Sequence, residues 1–215
     1  MHKIVSKYLL PLVLTALPIS DEPGTASAQS HASREATAAS YVHRGNSWFV
    51  KGEVERAMAD FNLALEFNPH YAGAFSNRAV AWLKKGDWDA ALVDFDRAIQ
   101  LNPSLVQCYL GRSEVRYRKG DLEGSIDDST RAIELDPGLA VAWNNRGIFR
   151  QEKGDLDGAL ADYDRSLQLN PKVASIWNNR GSARHLKRNF NGAIADQTRA
   201  LKLDPASRKP TATGG

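Results

Sequence analysis

The chain has 215 residues, of which 42% are hydrophobic and 25% charged, a balance of soluble globular chains that excludes wholesale disorder. Its formal net charge is +3, with Lys, Arg, Asp and Glu alternating and no long single-sign run, so the charge reads as solvated helix faces and no nucleic-acid partner is expected. The single cysteine, Cys108, excludes an intrachain disulfide and a cysteine-based zinc site, leaving packing as the source of stability.

Residues 1–28 have the layout of a signal peptide. Lys3 and Lys7 give a positive start, Tyr8 to Ile19 form an apolar run broken by Pro11 and Pro18, and Ala26-Ser27-Ala28 supplies a small-x-small cleavage pattern. Export to the periplasm or medium with cleavage after Ala28 is the expectation, against a disordered tail or an uncleaved anchor. The apolar run is too short to span a bilayer, which takes roughly 20 residues, so no stable membrane span is expected after cleavage. Residues 29–37 read as a linker.

From residue 38 onward the chain repeats itself. Pro69, Pro103, Pro137, Pro171 and Pro205 stand 34 residues apart, and Gly52, Gly86, Gly120 and Gly154 keep the same step until Arg188 replaces the fifth. A period of 34 is that of a helix-turn-helix solenoid unit, which gives units 38–71, 72–105, 106–139, 140–173 and 174–207, with 208–215 as a disordered tail. The mid-unit Gly marks the turn between two helices, and Asp87, Asp121 and Asp155 follow it as caps for the second helix. The Asn-Pro or Asp-Pro step ends that helix. Fifteen small residues fill three slots per unit (Gly45, Ala57 and Ala64 in the first), as close approach of two helices requires, while Tyr41, Phe75, Tyr109, Trp143 and Trp177 add bulk at one shared position.

Over residues 38–207 the sequence resembles the tetratricopeptide repeat family. Unit 2 carries the pattern in Phe75, Ala79, Trp82, Gly86, Ala91, Phe95, Ala98 and Pro103; units 3 to 5 depart from it at Arg116, Arg150 and Arg184, and at Ser129 and Gln197. The resemblance implies an all-α fold, a right-handed superhelical solenoid of five repeats whose first helices line a concave groove for peptides and protein partners. No capping helix is expected from the short Gly-, Pro- and Thr-rich stretch after Pro205. Either unit 5, with Arg188, Gln197 and Thr198, is its own cap, or its outer face docks on a second copy, a homodimer through the uncapped C-terminal end.

Two charged positions recur in every unit. Arg44, Arg78, Arg112, Arg146 and Arg180 lie on the first helices, and Asp60, Asp94, Asp128, Asp162 and Asp196 lie sixteen residues later on the second. A charge at a helix-pair interface needs a partner, so the two rows read as a structural ion-pair ladder within or between units. Pairing of Asp94, Asp128, Asp162 and Asp196 with the Arg three residues on competes with it.

The groove positions implied by the resemblance hold Val42, Asn46, Phe49, Asn77, Val80, Leu83, Leu110, Glu114, Tyr117, Asn144, Asn145, Ile148, Gln151, Asn178, Asn179 and His185. Apolar residues offer area there, and Asn offers both a donor and an acceptor to a peptide backbone. Asn77, Asn145 and Asn179 share one position that His43 and Gly111 interrupt; the row is equally consistent with simple solvation. The groove lacks the cations with which chaperone-binding members clamp a terminal carboxylate.

Catalytic patterns are missing from the sequence. It contains no phosphate-binding glycine loop, no His-Glu-x-x-His and no Gly-x-Ser-x-Gly, and its histidines have no metal-ligand partner at helical spacing. Neither cofactor nor metal is expected. The expectation is a non-catalytic scaffold or adaptor holding a partner peptide in its groove; the alternative is a structural subunit of an envelope assembly that works through its ends and convex face.

Overall fold

The computed structural model describes residues 26–205, with side chains from Ala32 onward. Among these residues it contains ten α-helices and no strand: α1 (Ala26–Val50), α2 (Val54–Phe67), α3 (Ala72–Lys85), α4 (Trp88–Leu101), α5 (Val106–Arg118), α6 (Leu122–Leu135), α7 (Ala140–Lys153), α8 (Leu156–Leu169), α9 (Ala174–Leu186) and α10 (Phe190–Leu203). The chain is an all-α helical repeat solenoid. It divides between Lys119 and Gly120 into two compact units, the first holding α1 to α5 and the second α6 to α10.

Local chemistry sets the turn inside each repeat and the end of its second helix. Gly154 closes α7 at φ 91°, a left-handed conformation open to a residue without Cβ. Arg188 takes the same turn at φ 60° with a full side chain, which costs about 1–2 kcal/mol. Asp87, Asp121, Asp155 and Asn189 then cap α4, α6, α8 and α10 by accepting from the backbone N–H three residues on. At the far ends Asn68, Asn102, Asp136, Asn170 and Asp204 are extended, as the residue before a proline should be.

Packing follows from the small slots, all fifteen of which are buried. A small residue on the first helix lets an aromatic ring of the second lie flat against it: Phe61 covers Gly45, and Tyr163 covers Gly147. The rings of Phe61, Phe95 and Tyr163 are buried to within 1% of their surface.

One boundary differs from the sequence reading. α1 opens at Ala26, so residues 29–37 are helix and not linker. Alanines at 32, 36, 38 and 39 favour that helix, and Ala38 anchors it in a cluster with Val42, Ala64 and Ala74. Residues 1–25 of the signal segment and the 208–215 tail lie outside the described residues.

Candidate functional site

Arginine organises the α1–α2, α3–α4, α7–α8 and α9–α10 hairpins. Arg44, Arg78, Arg146 and Arg180 each grip the aspartate of their own repeat with two parallel N–H···O bonds, to Asp60, Asp94, Asp162 and Asp196, at 2.6–3.0 Å. Arg112 of α5 and Asp128 of α6 belong to different units. The third guanidinium nitrogen reaches the preceding repeat: Arg78 to Asn62, Arg112 to Asp96, Arg146 to Thr130 and Arg180 to Asp164, at 2.5–3.2 Å. Each of the five guanidinium groups also rests 4.8–5.7 Å from the ring three residues before it, Tyr41, Phe75, Tyr109, Trp143 or Trp177. Burial would lower the Arg180 pKa, but the hydrogen bonds to Asp196 and Asp164 more than offset it and the net direction is upward.

The competing three-residue spacing is not used by Arg97 and Arg165, which donate forward to Gln100 and Gln168. Two further cations escaped the sequence reading. Arg150 and Arg184, standing where the family pattern has an aromatic, each add a bond of 2.9 Å to Asp162 and Asp196. Their signal was legible: positions twelve apart face each other across an antiparallel hairpin. A second lattice was also missed, in which Lys85, Lys119, Lys153 and Lys187 pair with Glu55, Asp89, Glu123 and Asp157 of the repeat before.

The first helices lie side by side within each unit, α1 on α3 and α3 on α5, and α7 on α9. In the first unit this row presents Phe49, Val80, Leu83, Leu110 and Tyr117, all half-buried, around a hydrogen bond from Asn77 to Asn46 of 2.8 Å. Val42 is fully buried, in a cluster with Ala38, Ala64 and Ala74, and adds nothing to this surface. Among them Glu114 is held by Arg118 at 2.5 Å; burial raises its carboxyl pKa, and Arg118 opposes the shift. In the second unit the row is polar and largely spent on itself. Asn179 donates to Asn144, Asn144 to Asn145, and Gln151 accepts from the Tyr163 hydroxyl. Asn144, Asn145 and Ile148 are buried, Asn178 is half-buried with no side-chain hydrogen bond, and His185 is exposed beside Phe190.

Gly111, which breaks the asparagine row, has a steric cause. A Cβ there would stand 2.2 Å from Cζ of Phe95. Cys108 is a core residue of the same interface; burial pushes its thiol up to about 11, against a hydrogen bond with Ser76 and the charge of Arg112. No three metal-binding side chains cluster among the described residues, and no helix there is long and apolar enough to cross a membrane.

Tetratricopeptide repeat models match residues 72–105, 140–173 and 174–207. The chain is a tetratricopeptide repeat protein. Solved structures of similar fold include MamA from Desulfovibrio magneticus RS-1, with 15% identity, 80% of this chain and 98% of that chain covered and a TM-score of 0.72. Pseudomonas aeruginosa PilF has 18% identity, 80% and 78% coverage and a TM-score of 0.74. YrrB, described as a tetratricopeptide protein with an unusual peptide-binding site, has 21% identity, 85% and 94% coverage and a TM-score of 0.67. Among curated proteins none matches the sequence. The tetratricopeptide fold is a scaffold for protein–protein interaction, and its members are typically non-catalytic.

Proposed function

We propose that the chain is an adaptor that holds a partner peptide on the first-helix face of α1, α3 and α5. The observation that carries this reading is the contrast between the two units. The α7–α9 row has spent most of its polar groups internally, whereas Phe49, Val80, Leu83, Leu110 and Tyr117 leave half-buried apolar area beside the half-buried Glu114 carboxylate that Arg118 holds. Such a surface suits a segment with two or three apolar anchors at alternate or helical spacing. A peptide-display selection on the full chain tests it. Selected peptides should lose at least about tenfold in affinity to Leu83→Asp, the effect of one misplaced charge in an apolar contact, and none to Val93→Asp on α4. Equal binding to both variants would remove the face from consideration.

The adaptor is proposed to act outside the cytoplasm, on the strength of the residue 1–28 pattern. α1 packs through Ala38 and Val42, so cleavage after Ala28 leaves its buried part whole. N-terminal sequencing of the protein from a periplasmic fraction should begin at Gln29; recovery of an intact Met1 chain from the cytoplasm would refute export.

A further inference from the structure

Inside each unit, the second helix of a repeat is covered by the first helix of the next. Under α3, Val54 and Met58 of α2 are buried and Leu65 half-buried; under α9, Leu156 and Leu160 of α8 are half-buried and Leu167 buried. The residues of α10 at these positions are Phe190, Ile194 and Leu201, which are 53%, 62% and 38% exposed, with Leu186 beside them also exposed. Among the described residues no repeat lies upon this inter-repeat face.

We propose that a second copy of the chain covers it, α10 packing antiparallel on α10 about a two-fold axis. Three observations select this occupant. First, the four other second helices carry an acid, Glu55, Asp89, Glu123 or Asp157, that receives the lysine of the next repeat. α10 has Asn191 there, so it lacks the acid that the lysine of another such first helix would meet. Second, the opposite end of the chain does not match it. The side of α1 that would accept α10 in a head-to-tail stack carries Ser40, Arg44, Ser47 and Lys51, all exposed, where internal repeats bury pairs such as Ala74 and Ala81 or Ile176 and Ala183.

Third, the face is complementary to itself. Phe190 projects at one end, propped edge-on by the His185 ring with centroids 5.4 Å apart. At the other end Thr198, Leu201, Lys202 and Pro205 line a shallow hollow. An axis between Ile194 and Gln197 lays Phe190 of each copy in the hollow of the other and sets Ile194 against Gln197 of the second copy. The same register brings Arg188 to Asp204 of the second copy and Lys202 to its neutral Asn189, so no like charges meet. A helix pair of this length falls below the standard interface size, so the dimer is weak, dissociating on the order of 10 µM.

Sedimentation equilibrium of the full chain from about 1 µM to about 500 µM brackets that range. The weight-average mass should climb from 23.7 kDa toward twice that value and stop. Ile194→Glu and Thr198→Arg, both at exposed positions, should dissociate at least tenfold more readily with unchanged far-UV circular dichroism. Val93→Glu, 68% exposed on α4, should dimerise like the parent. A parent that stays at 23.7 kDa throughout, a dimer indifferent to both α10 variants, or growth past the dimer into open stacks would each overturn the proposal. The outcome does not depend on the peptide face, which lies on other helices.

Discussion

Asp162→Ala should lower the unfolding free energy by about 3–5 kcal/mol, the loss expected when one partner of a buried ion pair is removed. The Asp162 side chain is 2% exposed, and it accepts from Arg146 through two nitrogens and from Arg150 through a third. Truncation leaves two guanidinium groups facing an apolar slot. Arg146, only 11% exposed, has little room to turn toward water. Its bond to Thr130 of the preceding repeat loses its brace as well, so damage should pass from the α7–α8 hairpin to the α6–α7 contact. Asp60→Ala supplies the comparison. There a single arginine is left behind, and Arg44, 56% exposed, can hydrate at once, so the loss should be clearly smaller. Urea unfolding measures the two differences, and hydrogen exchange on α7 and α8 locates them, which matters because repeat arrays need not unfold in one step. Equal losses at Asp162 and Asp60 would mean that burial of the cation is not what gives the pair its weight.

The features visible in the sequence were those set by neighbours along the chain. Gly154, the capping Asp155 and the Asn170-Pro171 step act within a few residues of themselves, and each does in the structure what its type dictates. Partner choice was harder. The Arg and Asp rows were plain, but sixteen-residue and three-residue pairings were both open until burial of the aspartates put the first helix's arginine in reach and left Arg165 to Gln168. Residues 29–37 were misread because the 34-residue frame was laid from residue 38, while the alanines before it continue the helix on propensity and on one anchor, Ala38. The asparagines were identifiable and their direction was not. Whether Asn179 points to a peptide or to Asn144 depends on how closely α7 and α9 approach, a distance that no single-chain pattern encodes.

Gly111 gives the case where that distance can be tested. Asn77, Asn145 and Asn179 occupy its position in other repeats, so Gly111→Asn would restore the row, yet it should destabilise by about 1–3 kcal/mol through overpacking. Three ring carbons of Phe95 lie 2.2–2.8 Å from where the new Cβ must go, and Phe95 is fully buried against α3 and α5 with nowhere to swing. Phe95→Ala alone should cost about 3–5 kcal/mol, since it empties the centre of that cluster. The decisive quantity is the double variant. If the glycine exists to admit the ring, Asn at 111 loses its penalty once the ring is gone, and the two changes together should cost less than their sum by about 1–3 kcal/mol. Additive losses would show that ring and glycine do not compete for one space. Coupling would mean that the gap in the asparagine row follows from packing between α4 and α5, so that the apolar character of the first unit's face is fixed by its core.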